Sequence, residues 1–156
     1  MTARTPGTRI DKAARAALLA LLEETPALTL ATLDPDGAPR ATPLYFAPAD
    51  LTLIFLSDPA SQHSRNLQAD PRCGVAIYPA VADWRSLRGL QMRGQAVRLS
   101  EIETPRALQL YLQRFLFAAD LARTVQAAPY RFQPSWIRRI DNRQGFGFQQ
   151  EWQIDA

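Results

Sequence analysis

Apolar residues at Ile10, Ala14, Ala17, Leu18, Leu21 and Leu22 recur every three or four positions, the spacing that places side chains on one stripe of an α-helix. The run ends at Thr25-Pro26, where proline disfavours helical backbone in the residue before it. The pattern predicts an amphipathic N-terminal helix. Three strand-like runs follow, ALTLATL (27–33), RATPLYF (40–46) and LTLIFLS (51–57), separated by DPDG (34–37) and APAD (47–50). Pro, Asp and Gly at the breaks are turn formers, so these runs predict an antiparallel meander. The segment SDPASQHSRNLQADPR (57–72) interrupts the β pattern. Asp58 stands as an N-cap, Pro59 at the first helical position and Asp70-Pro71 as a stop, which predicts a short helix.

CGVAIY (73–78) is apolar on both parities, as in a strand covered on both faces. After a loop holding Trp84, GLQMRGQAVRLS (89–100) alternates: Leu90, Met92, Gly94 and Ala96 share one side of a strand and Gln91, Arg93 and Gln95 the other. Two glutamines bracketing an arginine suit a planar ligand rich in hydrogen-bonding groups. A solvated face is the alternative, and the strand by itself favours it. A later helix has two candidate starts, Thr104-Pro105 and a capping box of Ser100 and Glu103, with Leu108, Tyr111, Leu112 and Phe115 on one stripe. The tail reads as two last strands, YRFQPSWIRRIDN (130–142) and GFGFQQEW (145–152), joined by a turn at Asp141-Asn142. About six short strands, mostly in hairpin order and flanked by helices, predict one mainly β domain spanning 1–156, a small closed antiparallel barrel. Closure removes the edges that an open sheet would expose.

With 156 residues and 47% hydrophobic content, the chain suits one core. Its apolar runs are too short to span a membrane and Met1 to Arg9 lacks the apolar stretch of a signal peptide, so a soluble, cytoplasmic protein is expected. The net charge of +3 rests on arginine, because Lys12 is the only lysine. Cys73 is single and sits in an apolar run, which predicts a buried, inert thiol. With one histidine, no cysteine pair, no G-x-S-x-G elbow, no Walker loop and no dinucleotide fingerprint, metal hydrolysis, triad chemistry and classical nucleotide folds drop out. A cofactor would have to carry any reaction. Ser57, Ser61, Gln62, His63 and Arg65 cluster at the start of the short helix, where free N–H groups and the dipole favour a phosphate. The competing reading is a simple cap with solvated His63 and Arg65. Arg40 opens a strand just after the first hairpin turn, a position at a barrel rim or simply in solvent.

In order, GAPRATPLYF, FLSDPASQHSRNLQADPR and GLQMRGQAVRLS resemble the pyridoxamine 5'-phosphate oxidase-like superfamily of FMN-binding split β-barrels, over roughly Ala27 to Ser100. The resemblance implies a six-stranded antiparallel split barrel and FMN as cofactor. Arg40, Ala41, Thr42 and Pro43 would lie along the flavin, Leu56 and Ser57 at the strand end, Gln62 and His63 at the phosphate beside Ser61, and Gln91 across the ring. It also implies a homodimer with two flavin sites, each built from both subunits. The chain departs from the vitamin oxidases in four places. Tyr45 replaces a substrate-binding lysine and Gln62-His63 replaces an Arg-Lys pair. The tail lacks the histidine of an Arg-x-His motif, and Tyr111 and Arg114 are three apart instead of four. The expected function is therefore that of an FMN-binding flavoprotein and oxidoreductase, passing hydride between a small organic substrate or nicotinamide and FMN. The alternatives are a non-catalytic flavin, deazaflavin or haem binder, with His63 available to haem, and more remotely a small-barrel nucleic-acid binder using Tyr45, Phe46 and Tyr78. No metal site is expected. Of the tail residues Trp136, Phe146, Phe148 and Trp152, packing is the expected role over contact with flavin.

Overall fold

The computed structural model describes residues 9–120 and 126–155. Helix α1 (Lys12–Glu24) is capped by Asp11, whose carboxylate accepts from the Ala14 N–H at 2.8 Å. It leads into strands β1 (Ala27–Leu33), β2 (Pro39–Ala49) and β3 (Thr52–Ser57). Helix α2 (Gln62–Ala69), β4 (Arg72–Ile77), β5 (Arg88–Arg98), α3 (Thr104–Arg114), β6 (Ala128–Asp141) and β7 (Gln149–Gln153) complete the chain. The sheet order is β3-β2-β1-β4-β5-β6-β7, and an added β3–β6 pairing closes the first six strands into an antiparallel barrel. The predicted six-stranded split barrel is the fold, with β7 as an extra strand.

The ladders around the barrel are unequal in length. β2 and β3 pair only from Phe46↔Phe55 to Ala49↔Thr52, after which β2 runs on with β1 alone as far as Pro39. β6 is shared: its first half closes on β3, from Leu53↔Phe132 to Ser57↔Ala128, and its second half carries β7, from Trp136↔Gln153 to Ile140↔Gln149. The chain leaving β3 at Ser57 enters α2, which packs against β1 and β5.

Strand parity sets what is inside. Leu90, Met92, Gly94 and Ala96 of β5 are buried while Gln91, Arg93 and Gln95 are exposed, as the alternation predicts. The interior joins Leu18 and Leu22 of α1 to Leu30, Phe46, Phe55, Ile77, Phe132 and Ile137, with Leu67 of α2 added. Helix α3 lies outside the barrel, where Tyr111 and Phe115 cover Ala47 and Leu56, and Ala107 meets Ile54 and Leu99. Among the described residues no helix is long and apolar enough to cross a membrane.

Four local expectations are corrected. APAD is a turn only at its end, since residues 47–49 continue β2 and pair with β3, and the chain turns at Asp50, whose φ is 58°. Helix α2 is capped by Ser61, not Asp58. The Asp58 carboxylate instead accepts from the Ala60 N–H at 2.8 Å and its carbonyl from the Ser61 N–H at 3.0 Å, which closes a turn ahead of the helix. Both signals for α3 are used at once. The helix starts at Thr104, while Glu103 accepts from the Ser100 N–H and hydroxyl at 3.2 and 2.8 Å to close the preceding turn. Finally, GFGF is not strand: Gly145 and Gly147 have φ of 128° and 75°, values that side chains resist, and β7 starts only at Gln149.

β5 and β6 slip register between Arg93↔Trp136 and Gly94↔Pro134. This bulge presses β6 backbone onto Gly94, where an added Cβ would lie 2.1 Å from the Gln133 carbonyl oxygen. Gly94→Ala is therefore expected to lower stability by about 1–3 kcal/mol, the usual cost of overpacking. Unfolding in urea measures this, and an unchanged midpoint would contradict so close an approach.

Candidate functional site

β3 delivers Ser57 on the same parity as the core residues Leu53 and Phe55, so its buried hydroxyl faces inward at the strand end. One turn later Ser61 caps α2 and sends its side chain back toward the same point. Ser57 Oγ lies 2.6 Å from His63 Nε2, 2.9 Å from Ser64 Oγ and 3.2 Å from Ser61 Oγ. Ser61 Oγ lies 2.9 Å from Ser64 Oγ and 3.2 Å from His63 Nε2. Three hydroxyls and an imidazole thus converge beside the N-terminus of α2, where unpaired N–H groups and the dipole favour negative charge. Burial lowers the His63 pKa below its ordinary value, and the nearby Arg40 charge lowers it further. His63 is therefore neutral at neutral pH, with one ring nitrogen as donor and the other as acceptor.

A second network joins this helix to the first hairpin. Asp34 accepts from Arg40 at both oxygens, 2.7 Å from Nε and 2.8 Å from Nη2. Asn66, buried on α2, donates to Asp34 Oδ1 at 2.8 Å and to Thr32 Oγ1 at 3.0 Å, and accepts from Gln62 Nε2 at 2.8 Å. The Asp34 pKa is held below its ordinary value by the hydrogen bonds from Arg40 and then from Asn66. Arg65 is bonded locally, to the Ala60 carbonyl and to Gln62 Oε1.

The structure therefore brings together Arg40, Ser57, Ser61, Gln62 and His63. Sequence reasoning missed Thr32, Asp34, Ser64 and Asn66. For Asn66 a signal existed, since a Gln-x-x-x-Asn pair occupies one face of a helix. DPDG was read only as a turn, and nothing in it separates Asp34 from Asp36. Leu56 lies apart, its side chain packed under α3 with Tyr111. Thr42 is half-buried on the inward parity of β2, whereas Ala41 and Pro43 face outward and are exposed.

Gln91 is also apart from the serine cluster, on the outward face three strands from β2. In register its row reads Pro43, Thr29, Ala76, Gln91 and Arg138. The next row reads Ala41, Ala31, Gly74, Arg93 and Trp136. This outward face of β2, β1 and β4 is built from small side chains and is bounded on β5 and β6 by polar and aromatic ones. Gln91 Oε1 accepts from Arg138 Nη1 at 3.3 Å, while Arg93 and Arg138 both stack on Trp136, 4.2 and 5.2 Å from the ring centre. Trp152 belongs to the barrel core and Trp136 is buried beneath the two arginines, but Phe146 is 85% exposed and its ring contact is with the edge of Trp84.

Two further groups are placed by the structure. Cys73 is half-buried, not fully buried as the apolar run predicts, and burial pushes its thiol up to about 12. Arg114 donates to the carbonyls of Leu22, Glu23 and Thr25 at 2.9, 3.2 and 3.0 Å, so it closes the end of α1 and is no part of the anion cluster. Among the described residues no group of three or more His, Cys, Asp or Glu could hold a metal ion.

Comparison with known proteins gives the following likenesses. The profile of the family described as pyridoxamine 5'-phosphate oxidase matches residues 14–138. A UPF0306 protein of Klebsiella pneumoniae is 37% identical over 111 residues, covering 71% of this chain and 73% of that protein. A pyridoxine/pyridoxamine 5'-phosphate oxidase of Rhodopseudomonas palustris is 33% identical over 84 residues, covering 53% of this chain and 37% of that protein. Among solved structures, a heme binding protein from Mycobacterium smegmatis superposes with a TM-score of 0.76 over 96% of this chain and 63% of that one, at 22% identity, a likeness of fold.

Proposed function

The chain belongs to the pyridoxamine 5'-phosphate oxidase family, and on that premise we propose that it is an FMN-binding oxidoreductase, taking hydride from a small organic donor or a reduced nicotinamide. The observation that carries this reading is the convergence of Ser57, Ser61 and His63 at the start of α2, close enough to Arg40 for its charge to reach His63. A phosphate monoester needs several directed donors and positive charge, and this group supplies hydroxyl and ring N–H donors together with a guanidinium. The small-residue face of Ala31, Ala41, Pro43, Gly74 and Ala76 suits a planar ring system, and Gln91 offers an amide at its far side. In this reading Ser57, Ser61, His63 and Arg40 hold the phosphate, Ala41 and Pro43 line the ribityl and ring, and Gln91 bonds the ring edge. FMN, when bound, supplies the hydride-accepting ring; the protein's part is to orient it and exclude water from its face.

The same face supports a homodimer in which two flavin sites lie between subunits. Ala27, Ala31 and Ala41 are exposed there, and an isologous contact would cover them. The cytoplasm is the proposed location. Haem is the second reading, favoured by the heme binding protein among the structural neighbours. Against it, His63, the single histidine, has its Nε2 held at 2.6 Å by Ser57. The visible spectrum of the purified protein, followed by release of any chromophore, tests the choice. Flavin bands and free FMN are expected; a Soret band would replace the flavin reading with the haem one.

Proton linkage gives a sharper check on His63. Because burial and Arg40 keep the free imidazole neutral, an arriving phosphate dianion must raise its pKa, so binding takes up a proton as the pH falls. The ratio of FMN dissociation constants, His63→Gln over wild type, is expected to rise between about pH 8 and about pH 6. Taking the ratio cancels the titration of the phosphate itself. A flat ratio would remove His63 from the phosphate site.

A further inference from the structure

The β1–β2 turn carries two aspartates that do different things. Asp36 serves the turn, accepting from the Ala38 N–H at 3.0 Å. Asp34 reaches out of it, with Oδ1 accepting from Arg40 Nε at 2.7 Å and from Asn66 Nδ2 at 2.8 Å, and Oδ2 from Arg40 Nη2 at 2.8 Å. Asn66 is buried and is itself fixed by Thr32 and Gln62. The carboxylate is thereby attached to α2, the helix whose first turn carries His63 and whose cap is Ser61. Arg40 is engaged along one edge only, since its Nη1 makes no hydrogen bond among the described residues.

We propose that Asp34 is the positioning residue of the anion site, holding the Arg40 guanidinium against α2 by its Nε–Nη2 edge so that the Nη1 side is left for a phosphate monoester. The inference rests on the phosphate reading of the serine cluster. A free arginine at a strand end samples many rotamers, and a ligand that immobilises it meets that entropic cost on binding. With Asp34 in place the cost is met in folding. The charge of Asp34 works the other way, because a carboxylate beside a phosphate repels it. Removing it therefore has opposite signs under the two effects. One bidentate contact and a buried anchor make pre-ordering the larger one.

The test measures FMN and riboflavin binding to wild type, Asp34→Asn, Arg40→Met and the double variant, with the Arg40 Nε–H resonance followed by NMR in wild type and Asp34→Asn, the two that keep the arginine. Asp34→Asn is expected to weaken FMN by about 3- to 10-fold, to leave riboflavin unchanged and to cost nothing further in the Arg40→Met background. In the unliganded Asp34→Asn protein the Arg40 Nε–H is expected to lose its protected, resolved signal. Unchanged or tighter FMN binding by Asp34→Asn would overturn the proposal in favour of simple charge competition. An equal loss in the Arg40→Met background would overturn it in favour of a structural role. Should FMN fail to bind wild type, inorganic phosphate separates the two claims. A shift of the Arg40 Nε–H on adding phosphate, smaller in Asp34→Asn, supports Asp34 and sinks only the flavin; no shift sinks both.

Discussion

Asp141→Ala is expected to lower stability by about 3–5 kcal/mol, the cost of leaving a buried charge without its partner. The Asp141 side chain is 1% exposed and lies between two guanidiniums, bonded to Arg139 Nη2 at 2.6 Å and to Arg143 Nε and Nη2 at 2.8 and 2.9 Å. Arg139 is also buried and its Nε has no partner within the described residues, so removing the carboxylate strands a cation that water reaches poorly. The same carboxylate caps the turn at Asn142–Gln144 that leads β6 back to β7, and Asn142 then ties this turn to the Trp84 and Leu87 carbonyls. Against a total stability of about 5–15 kcal/mol for a domain of this kind, that is a substantial share. The Asp141 pKa is held down to about 2 from 3.8, first by the Arg143 hydrogen bond. Because the folded value is the lower one, the stabilisation is complete above about pH 4 and is lost as the pH falls through about 2; it amounts to about 2 kcal/mol. Urea unfolding of wild type and Asp141→Ala at pH 7 and at low pH measures both effects. A gap between them that does not narrow on acidification would contradict the ion-pair account.

Arg40→Met is expected to weaken FMN binding by about 10- to 150-fold, which corresponds to about 1.5–3 kcal/mol for a hydrogen bond to a charged group, while riboflavin binds as before. The riboflavin control matters because Arg40 is assigned to the phosphate and not to the ring. Folding is expected to survive the change. The Arg40–Asp34 pair is part-exposed, with 42% and 20% of the two side chains accessible, and such surface pairs contribute little to stability. Arg40→Lys should fall well short of wild type, since an ammonium cannot reproduce the forked contact that fixes the guanidinium on Asp34. Equal losses for FMN and riboflavin would place Arg40 at the ring or in the fold instead of at the phosphate.

The fold was legible wherever one physical rule acted alone. Period two over residues 90–96 fixed which side of β5 is buried, and the 3.6-residue stripe of α1 ends in Glu24 just before Pro26. Errors arose where two local signals competed. Asp58 and Ser61 are both good caps, and the two divide the work: Asp58 closes the turn ahead of the helix, while the Ser61 hydroxyl accepts from the Ser64 N–H and caps it. The same holds for GFGF, whose aromatic residues read as strand while its glycines adopt left-handed backbone. In the site, Ser57, Ser61 and His63 were visible because they are close in sequence. Asp34 and Asn66 were not, since their bond spans 32 residues and depends on α2 docking beside the hairpin. Leu56 was named for its place at the strand end, but its parity turns it outward under α3.

The central claim is that the start of α2, with Arg40, is a phosphate site serving a flavin. Its most direct test is a parallel titration of the chromophore-free protein with FMN and with riboflavin, followed by flavin absorbance and fluorescence quenching. The account predicts saturable FMN binding that is at least about tenfold tighter than riboflavin binding, the least that one charge-assisted contact contributes. Equal affinity for the two, or no binding of either, would contradict it.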